Sequence, residues 1–140
     1  MVTEFETLKI GQVAFNSGLP VKTIRYYGDL GLLSPHLSRN ASGYRLFTPS
    51  VINRLNFIRR AQSLGLNLKQ IKEILTVHDE GKIPCGMIKQ LLVDKLENIK
   101  HQIEELNILQ IELKGILSGW QDFSSPESLK KSICPNIINH

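Results

Sequence analysis

The fold is decided by residues 8–31, which hold two short helical patterns on either side of a turn. They read Leu8-Lys9-Ile10-Gly11-Gln12-Val13-Ala14-Phe15-Asn16-Ser17-Gly18-Leu19-Pro20-Val21-Lys22-Thr23-Ile24-Arg25-Tyr26-Tyr27-Gly28-Asp29-Leu30-Gly31. The apolar spacing predicts one helix over residues 8–14 and a second over residues 21–30. Gly18 can adopt a positive φ after the first helix, and Pro20 suits the first turn of the second. This arrangement is typical of a helix-turn-helix, whose second helix usually enters the DNA major groove.

Residues 32–47 continue as two short extended runs around a polar turn at residues 40–43. This pattern predicts a β-hairpin whose tip carries Arg39 and Arg45. A hairpin beside a helix-turn-helix is a wing. Its arginines are then placed to reach phosphates or a minor groove.

Two further helices are predicted over about residues 49–64 and 68–77, followed by a linker at residues 79–82. Thr48 is the expected N-cap of the first of these helices, and Pro49 is its expected first residue. The apolar residues of that helix form one stripe, and its three arginines are interpreted as lying off this stripe, at positions 54, 59 and 60.

The segment after Pro84 contains no further proline until well beyond residue 118, and its apolar residues recur in steps of four and three. The repeating positions are Leu92, Leu96, Ile99, Ile103, Leu106, Gln110, Leu113 and Leu117. A repeat of more than three heptads predicts a coiled coil, and only Gln110 interrupts the apolar series. A second copy of the chain is the simplest source of a partner helix. The alternative is a helix that lies along its own domain.

The charge is unevenly distributed along the 140 residues, whose net charge is +4. Residues 9–72 carry ten basic residues and one acidic residue, Asp29, whereas residues 81–140 carry seven of each sign. Such asymmetry indicates a polyanionic partner for the first half, although a solvated basic face is also compatible with it.

Composition excludes several classes of protein. No run of eighteen or more apolar residues is present, so we expect no membrane span. The acidic N-terminus lacks the apolar segment of a secretory signal, and we therefore expect a cytoplasmic protein whose Cys85 and Cys134 are reduced thiols. No nucleophile–base pair, phosphate loop or carboxylate constellation indicates an enzyme.

Five motifs in order along the chain carry a family resemblance. They are Ile10-Gly11-Gln12-Val13-Ala14, Thr23-Ile24-Arg25-Tyr26-Tyr27, Gly31-Leu32-Leu33, Ser42-Gly43-Tyr44-Arg45 and Phe57-Ile58-Arg59-Arg60-Ala61. Through them the chain resembles the MerR family of bacterial transcription regulators over essentially its whole length. It resembles the metal-responsive branch in particular, because a cysteine opens the long helix and a Cys-Pro pair lies beyond it.

The resemblance implies a mainly α protein with three parts: a winged helix-turn-helix domain (residues 1–78), a linker and antiparallel coiled-coil dimerisation helix (79–120), and a short metal-binding-type loop (121–140). It further implies a homodimer on a pseudo-palindromic promoter. The effector would make the protein bend and untwist double-stranded promoter DNA so that RNA polymerase can use it.

We expect DNA contacts from the second helix, the wing and the third helix. The candidate residues are Lys22, Thr23, Arg25, Tyr26, Tyr27, Arg39, Tyr44, Arg45, Arg54 and Arg60. An arginine can grip phosphate or guanine with two hydrogen bonds, and a tyrosine hydroxyl can donate to phosphate. One of the two adjacent tyrosines must belong to the core, and helical geometry leaves open which one.

Cys85 and Cys134 are the candidate metal ligands. Cys85 follows Pro84 at a helix N-terminus, where the helix dipole attracts an anionic ligand such as a thiolate. A helix over residues 85–118 is about 50 Å long, so the two cysteines start far apart within one protomer. In the antiparallel dimer that the resemblance implies, Cys85 of one chain meets Cys134 of the other, which gives two sites per dimer.

The metal itself is less determined. Metal sensors of the family usually carry a further cysteine where the long helix ends, whereas residues 117–120 contain none. Two thiolates favour a linear soft ion, Hg(II), over Zn(II), Cd(II) or Pb(II); additional ligands, if required, would come from His78, Asp79, His101 or His140. The alternative is a thiol redox switch that forms a reversible disulfide between the two cysteines. An organic-ligand sensor is disfavoured because the tail has only about twenty residues.

Overall fold

The secondary structure is mainly helical in the computed structural model, which describes residues 6–122 and 133–137. In chain order the elements are β1 (Leu8–Lys9), α1 (Ile10–Ser17), α2 (Val21–Asp29), a single 3-10 turn (Ser34–His36), β2 (Leu37–Arg39), β3 (Arg45–Phe47), α3 (Val51–Ser63), α4 (Leu68–Asp79) and α5 (Cys85–Ser118). The predicted fold class is therefore confirmed: a helix-turn-helix with a small β wing precedes one long helix.

The chain divides into two structural units, one ending at Leu92 and the other beginning at Val93. The first unit holds the helix-turn-helix, the wing and the first two turns of α5. Each unit is described by itself below.

The wing is a three-stranded antiparallel sheet of order β1-β3-β2 rather than a simple hairpin. Leu8 pairs with Phe47 and Lys9 with Leu46, so the first two residues of the predicted first helix form a strand instead. α1 accordingly begins at Ile10. The additional strand, β1, thus attaches the base of the wing to the start of α1.

The turn between α1 and α2 depends on Gly18. This residue has φ +73°, the left-handed conformation that side chains disfavour, and its N–H donates to the carbonyl of Ala14 at 2.9 Å. Pro20 lies just before α2 rather than inside it, and its carbonyl accepts from the N–H of Thr23 at 3.0 Å. The turn therefore sets the direction in which α2 leaves α1.

α3 begins at Val51, two residues later than predicted. The hydroxyl of Thr48 lies 2.7 Å from Nδ1 of His36, so it is engaged with the segment before the wing instead of capping the helix. The carbonyl of Thr48 accepts from the N–H of Val51 in the turn that precedes the helix. α4 starts from a reciprocal cap: the Asn67 side chain accepts from the N–H of Gln70, and the Gln70 side chain accepts from the N–H of Asn67.

The core of the first unit lies where α1, α2, α3 and α4 pack together. Its fully buried side chains are Val13, Ile24, Leu32, Leu33, Phe47, Val51, Leu55, Ile58, Ile71 and Ile74. Met87, Ile88, Leu91 and Leu92, at the start of α5, pack against this cluster from its edge. Burial of these side chains fixes the outward face of α2, on which the proposed DNA contacts lie.

α5 has 34 residues and is the longest element. The apolar heptad positions predicted for it are exposed along most of its length; Leu96 is 54% exposed and Ile103 is 52% exposed. Within residues 6–122 and 133–137, no helix is both long and apolar enough to cross a membrane.

Candidate nucleic-acid interface and thiol sites

The outward face of α2 is built by helical spacing. Lys22, Arg25 and Tyr26 lie three and four residues apart and are exposed, while Ile24 is buried in the core. Thr23, at the side of this face, is half-buried. Two cations and a phenol therefore point away from the core on the helix that the motif assigns to DNA.

The structure resolves the choice between the two adjacent tyrosines. Tyr27 is 7% exposed, and its hydroxyl donates to Oε1 of Gln62 on α3 at 2.7 Å. Burial raises the pKa of Tyr27, and the nearby Arg59 opposes that effect. Tyr26 is 53% exposed. Tyr27 is thus a core residue that joins α2 to α3. The expectation that Tyr27 contacts DNA is wrong.

The tip of the wing is held by Asn40. Its Oδ1 accepts the N–H groups of Ser42 and Tyr44, both at 3.0 Å, and its carbonyl accepts from Gly43, whose φ is +84°. Arg39 donates from Nη1 to the carbonyl of Gly43 at 2.9 Å and stays exposed, as does Tyr44. The tip is therefore a defined turn with exposed polar and aromatic groups.

Arg45 joins the wing to α2, the recognition helix of the helix-turn-helix. Its Nη2 lies 2.9 Å from Oδ1 of Asp29, at the end of α2, and the Arg45 side chain is only 19% exposed. Its Nε is buried and has no hydrogen-bond partner within the described residues. Arg45 therefore fixes the angle between wing and helix as well as contributing positive charge.

The recognition helix and the wing border one open groove of about 1060 Å³. The residues along it with basic or hydrogen-bonding side chains are Lys9, Gln12, Arg25, Arg39, Asn40, Ser42, Tyr44 and Arg45. Arg25 of α2 and the arginines of the wing thus share one concave surface, while Lys22 lies outside it. Lys9 and Gln12 were not among the expected contacts, because residues 8–14 gave only a helix pattern.

Arg54 has a different role from the one its charge indicated. It is 7% exposed, and its two terminal nitrogens bond Oδ1 and Oδ2 of Asp79 at 2.7 and 2.9 Å. Its Nε donates to the carbonyl of Leu32. Position 54 is three residues after Val51 and four before Ile58, so it lies on the buried stripe of α3. The expected DNA contact at Arg54 is therefore wrong: this guanidinium joins α3 to the end of α4 and to the backbone of Leu32.

The other two arginines of α3 are exposed. Arg60 donates to Oγ of Ser63 at 3.2 Å, and Arg59 donates to the carbonyl of Ser17, at the end of α1, at 3.3 Å. Arg59 was not among the expected contacts, although it belongs to the same motif as Arg60. Its position beside the helix-turn-helix makes it a further candidate for a phosphate contact.

Cys85 is the first residue of α5 and is an exposed free thiol. It borders a cavity of about 540 Å³ whose wall is mostly apolar and includes Phe57, Ile74 and Ile88. Two histidines, His36 and His78, also line this cavity. Burial, with a contribution from Arg54, lowers the pKa of His36. The surroundings of this cavity thus favour the neutral form of the His36 imidazole.

Cys134 is a half-buried free thiol in a turn, in which the N–H of Ile137 donates to the Cys134 carbonyl at 3.2 Å. The Asn136 side chain lies 3.9 Å from Sγ of Cys134 and bonds the backbone of Gln121. Cys134 belongs to the second unit and Cys85 to the first.

The additional metal ligands suggested by the sequence are dispersed. Asp79 is bonded to Arg54, and exposed His101 lies near Glu97 and Glu104 on α5. His78 is exposed, and His140 lies outside the described residues. Among residues 6–122 and 133–137, no group of three or more histidine, cysteine, aspartate or glutamate side chains is arranged to hold a metal ion.

Arg25 of α2 lies in the same groove as the polar side chains of the wing, and α2 is the helix that a helix-turn-helix places in the major groove. The chain is thus a winged helix-turn-helix protein. A family model described as "MerR HTH family regulatory protein" matches residues 8–77, and one described as "MerR, DNA binding" matches residues 52–116. The chain belongs to the MerR family and is a DNA-binding transcriptional regulator rather than an enzyme.

Three similar proteins illustrate the relationship. The mercuric resistance operon regulatory protein of Bacillus cereus is 36% identical over 102 residues, which cover 73% of this chain and 76% of that protein. The transcription regulator PbrR691 of Ralstonia metallidurans CH34, solved in complex with lead(II), superposes with a TM-score of 0.73 at 28% identity and covers 86% of this chain and 93% of its own. HiNmlR, a MerR family regulator bound to promoter DNA, gives a TM-score of 0.53 at 27% identity, with coverage of 81% and 89%.

Proposed function

We propose that the chain acts as a homodimer that binds promoter DNA through the groove between α2 and the wing, and that binding of a thiophilic metal ion makes it distort the promoter so that RNA polymerase initiates. Cys85 of one protomer and Cys134 of the other are the proposed ligands. Hg(II) is the favoured ion, with Zn(II), Cd(II) and Pb(II) as alternatives. The observation that carries the proposal is that Arg25 of α2 and the two arginines of the wing, Arg39 and Arg45, line one groove.

The DNA contacts are assigned to expected residues that are at least partly exposed, together with Arg59. Lys22, Thr23, Arg25 and Tyr26 are the proposed contacts of α2; Arg39, Tyr44 and Arg45 are those of the wing; Arg59 and Arg60 are those of α3. Arginine side chains in such a groove suit phosphates and guanine edges. Arg45 is proposed to contact DNA with the part of its guanidinium that Asp29 does not occupy.

The proposal of a dimer rests on α5. A helix with one apolar stripe is marginal in water unless that stripe is covered. The heptad positions from Leu96 to Leu117 are exposed in the single chain. A second copy of α5 would cover them with matching apolar side chains, which is the arrangement of a coiled coil.

The proposal of a metal effector rests on the two thiols and on what similar proteins are named for. Both cysteines are free, and neither is fully buried. One relative is named for mercuric resistance, and a similar structure contains lead(II). Two thiolates suit a linear, soft ion better than a tetrahedral one, which favours Hg(II).

The DNA assignment is tested by binding assays on promoter DNA at several salt concentrations. Arg25→Ala should weaken binding both with and without metal, and it should reduce the log–log salt slope by about one for each phosphate that the side chain no longer neutralises. Lys82→Ala is the matched control, because Lys82 is an exposed cation outside the groove. Equal affinities of the two variants would contradict the assignment of Arg25.

The effector is tested by titrating the reduced protein with Hg(II), Zn(II), Cd(II), Pb(II) and Cu(I), using wild type, Cys85→Ser and Cys134→Ser. Tight binding of one ion at one or two per dimer, abolished in both variants, is the expected result. Cys134→Ser should keep DNA affinity but no longer respond to the inducing ion. If no ion binds tightly and mass spectrometry of the oxidised dimer finds an intersubunit disulfide, the effector is redox chemistry and the metal proposal is wrong.

A further inference from the structure

In the second unit, Asn136 contacts a residue that lies far from it in the sequence. Oδ1 of Asn136 accepts the N–H of Gln121 at 3.0 Å, and Nδ2 of Asn136 donates to the carbonyl of Gln121 at 2.8 Å. The two residues are fifteen positions apart. One side chain thus satisfies both backbone groups of a residue that lies just beyond the end of α5.

This pairing requires a carboxamide of a particular length. An asparagine side chain offers one acceptor and one donor, the same pair that a backbone peptide offers to its neighbour across a sheet. Aspartate could accept from Gln121 but could not donate to it. Alanine could do neither. The contact therefore assigns a specific role to the residue type at position 136.

The same carboxamide also lies against the Cys134 thiol. Nδ2 of Asn136 is 3.9 Å from Sγ of Cys134, and the N–H of Ile137 donates to the Cys134 carbonyl at 3.2 Å. A fixed Asn136 side chain therefore fixes the turn that carries the thiol. Cys134 is held near the end of α5 by hydrogen bonds of the protein alone.

We propose that Asn136 is a positioning residue, which holds the Cys134 turn beside Gln121 before any metal ion binds. As a statement about a metal ligand, this rests on the proposed function. Ordering a flexible segment costs conformational entropy. If Asn136 already orders the Cys134 turn, less entropy is lost when the metal ion binds, and the affinity for the ion is higher. Two net hydrogen bonds of ordinary strength correspond to roughly a tenfold effect or somewhat more on metal affinity.

The test uses the full-length reduced protein and needs no metal for its first part. Hydrogen exchange of the Gln121 amide is compared in wild type, Asn136→Ala and Asn136→Asp, with Asn98→Ala as the matched control because Asn98 is exposed on α5. The Gln121 amide should be protected in wild type and in Asn98→Ala. Protection should disappear in Asn136→Ala and be at least partly kept in Asn136→Asp, which retains the acceptor. An unprotected Gln121 amide in wild type overturns the inference.

The second part measures the thiol itself. In a Cys85→Ser background, alkylation of Cys134 by iodoacetamide should become several-fold faster when Asn136 is replaced by alanine, because the turn no longer shelters the thiol. Hg(II) affinity, measured in the presence of Cys85, should fall roughly tenfold in Asn136→Ala and stay unchanged in Asn98→Ala.

The outcomes separate the two proposals. An unprotected Gln121 amide in Asn136→Ala with unchanged alkylation overturns the positioning role, as does unchanged Hg(II) affinity in a protein that binds Hg(II). If wild type binds none of the ions, the proposed metal effector fails, while exchange and alkylation still decide whether Asn136 holds the turn. Circular dichroism and DNA affinity equal to those of wild type verify that each variant is folded.

Discussion

Replacing Asp79 by alanine should strongly destabilise the first unit. Asp79 is the last residue of α4 and accepts two hydrogen bonds from Arg54, whose side chain is 5% exposed. Without Asp79, the guanidinium keeps only its bond to the carbonyl of Leu32 and remains buried without a counter-charge. Removal of one partner from a buried ion pair costs about 3–5 kcal/mol. The Asp79 side chain is 30% exposed, so water partly compensates and we expect about 3 kcal/mol.

The assay is urea unfolding at pH 7 and at one fixed protein concentration, since dimerisation would contribute to apparent stability. Glu80→Ala is the control, because Glu80 is the next residue and its ion pair with Lys82, at 3.6 Å, joins two exposed side chains. Such a pair is expected to contribute almost nothing to the free energy of unfolding. The unfolding midpoint should fall for Asp79→Ala, with the slope m unchanged. Equal midpoints for the two variants would refute the structural role of the Arg54–Asp79 pair.

The same pair predicts a pH dependence of known sign. The hydrogen bond from Arg54 lowers the pKa of Asp79 below its ordinary value of 3.8, although burial acts in the opposite direction. The unfolded chain therefore binds the proton at a higher pH than the folded chain does. The stabilisation is complete above about pH 4 and disappears as the pH falls through the lowered pKa of the folded state. The difference in stability between wild type and Asp79→Asn should thus narrow as the pH falls below about 4.

Three further predictions concern single elements. Tyr26→Phe should weaken promoter binding in a mobility-shift assay without changing stability. Tyr27→Phe should leave DNA affinity unchanged and lower the free energy of unfolding by about 1 kcal/mol, since it removes one buried hydrogen bond. If instead Tyr27→Phe weakens DNA binding and Tyr26→Phe lowers stability, the roles given to the two tyrosines are wrong. Ile103→Glu should convert the proposed dimer to a monomer in analytical ultracentrifugation, because it places a charge in the proposed coiled coil. A variant that stays dimeric would argue against pairing through α5. Gly18→Ala should cost about 1 kcal/mol in thermal or urea unfolding, because the φ of +73° is strained for alanine, and an unchanged midpoint would show that the turn can relax.

The helices of this protein could be predicted because their signals are local. The periodicity of Val13, Ile24 and Ile58 and the glycines at the ends of helices lie within a few residues of the structure they specify. β1 could not be predicted in the same way. It has two residues, and its pairing partner Phe47 is 39 positions away, so nothing in residues 8–14 distinguishes the strand from the start of a helix.

The candidate DNA-contacting residues could be predicted only where the exposure of a side chain follows from its position around a helix. Tyr26 and Tyr27 are adjacent, and only the hydrogen bond of Tyr27 to Gln62, 35 positions away, decides between them. Arg54 could have been recognised, because its spacing from Val51 and Ile58 places it on the buried face of α3. Its charge favoured the surface instead, and its partner Asp79 is 25 positions away, in the predicted linker.

The basic residues of positions 9–72 have two roles: some pair with carboxylates within the fold, and the others are available to DNA. The net charge of the segment does not show which residues have which role. Two of its ten cations are bonded to carboxylates: Arg54 to Asp79 within the core, and Arg45 to Asp29 at the joint between wing and recognition helix. Asp29 is the one acidic residue of the segment, and it pairs with Arg45 at that joint. The other eight have no carboxylate partner among residues 6–122 and 133–137, so the salt dependence of DNA binding should reflect at most about eight phosphates per protomer plus any that Arg45 contacts. Asp29 and Asp79 thus hold two of the arginines in place within the fold, while we expect the affinity for DNA to come mainly from the other cations.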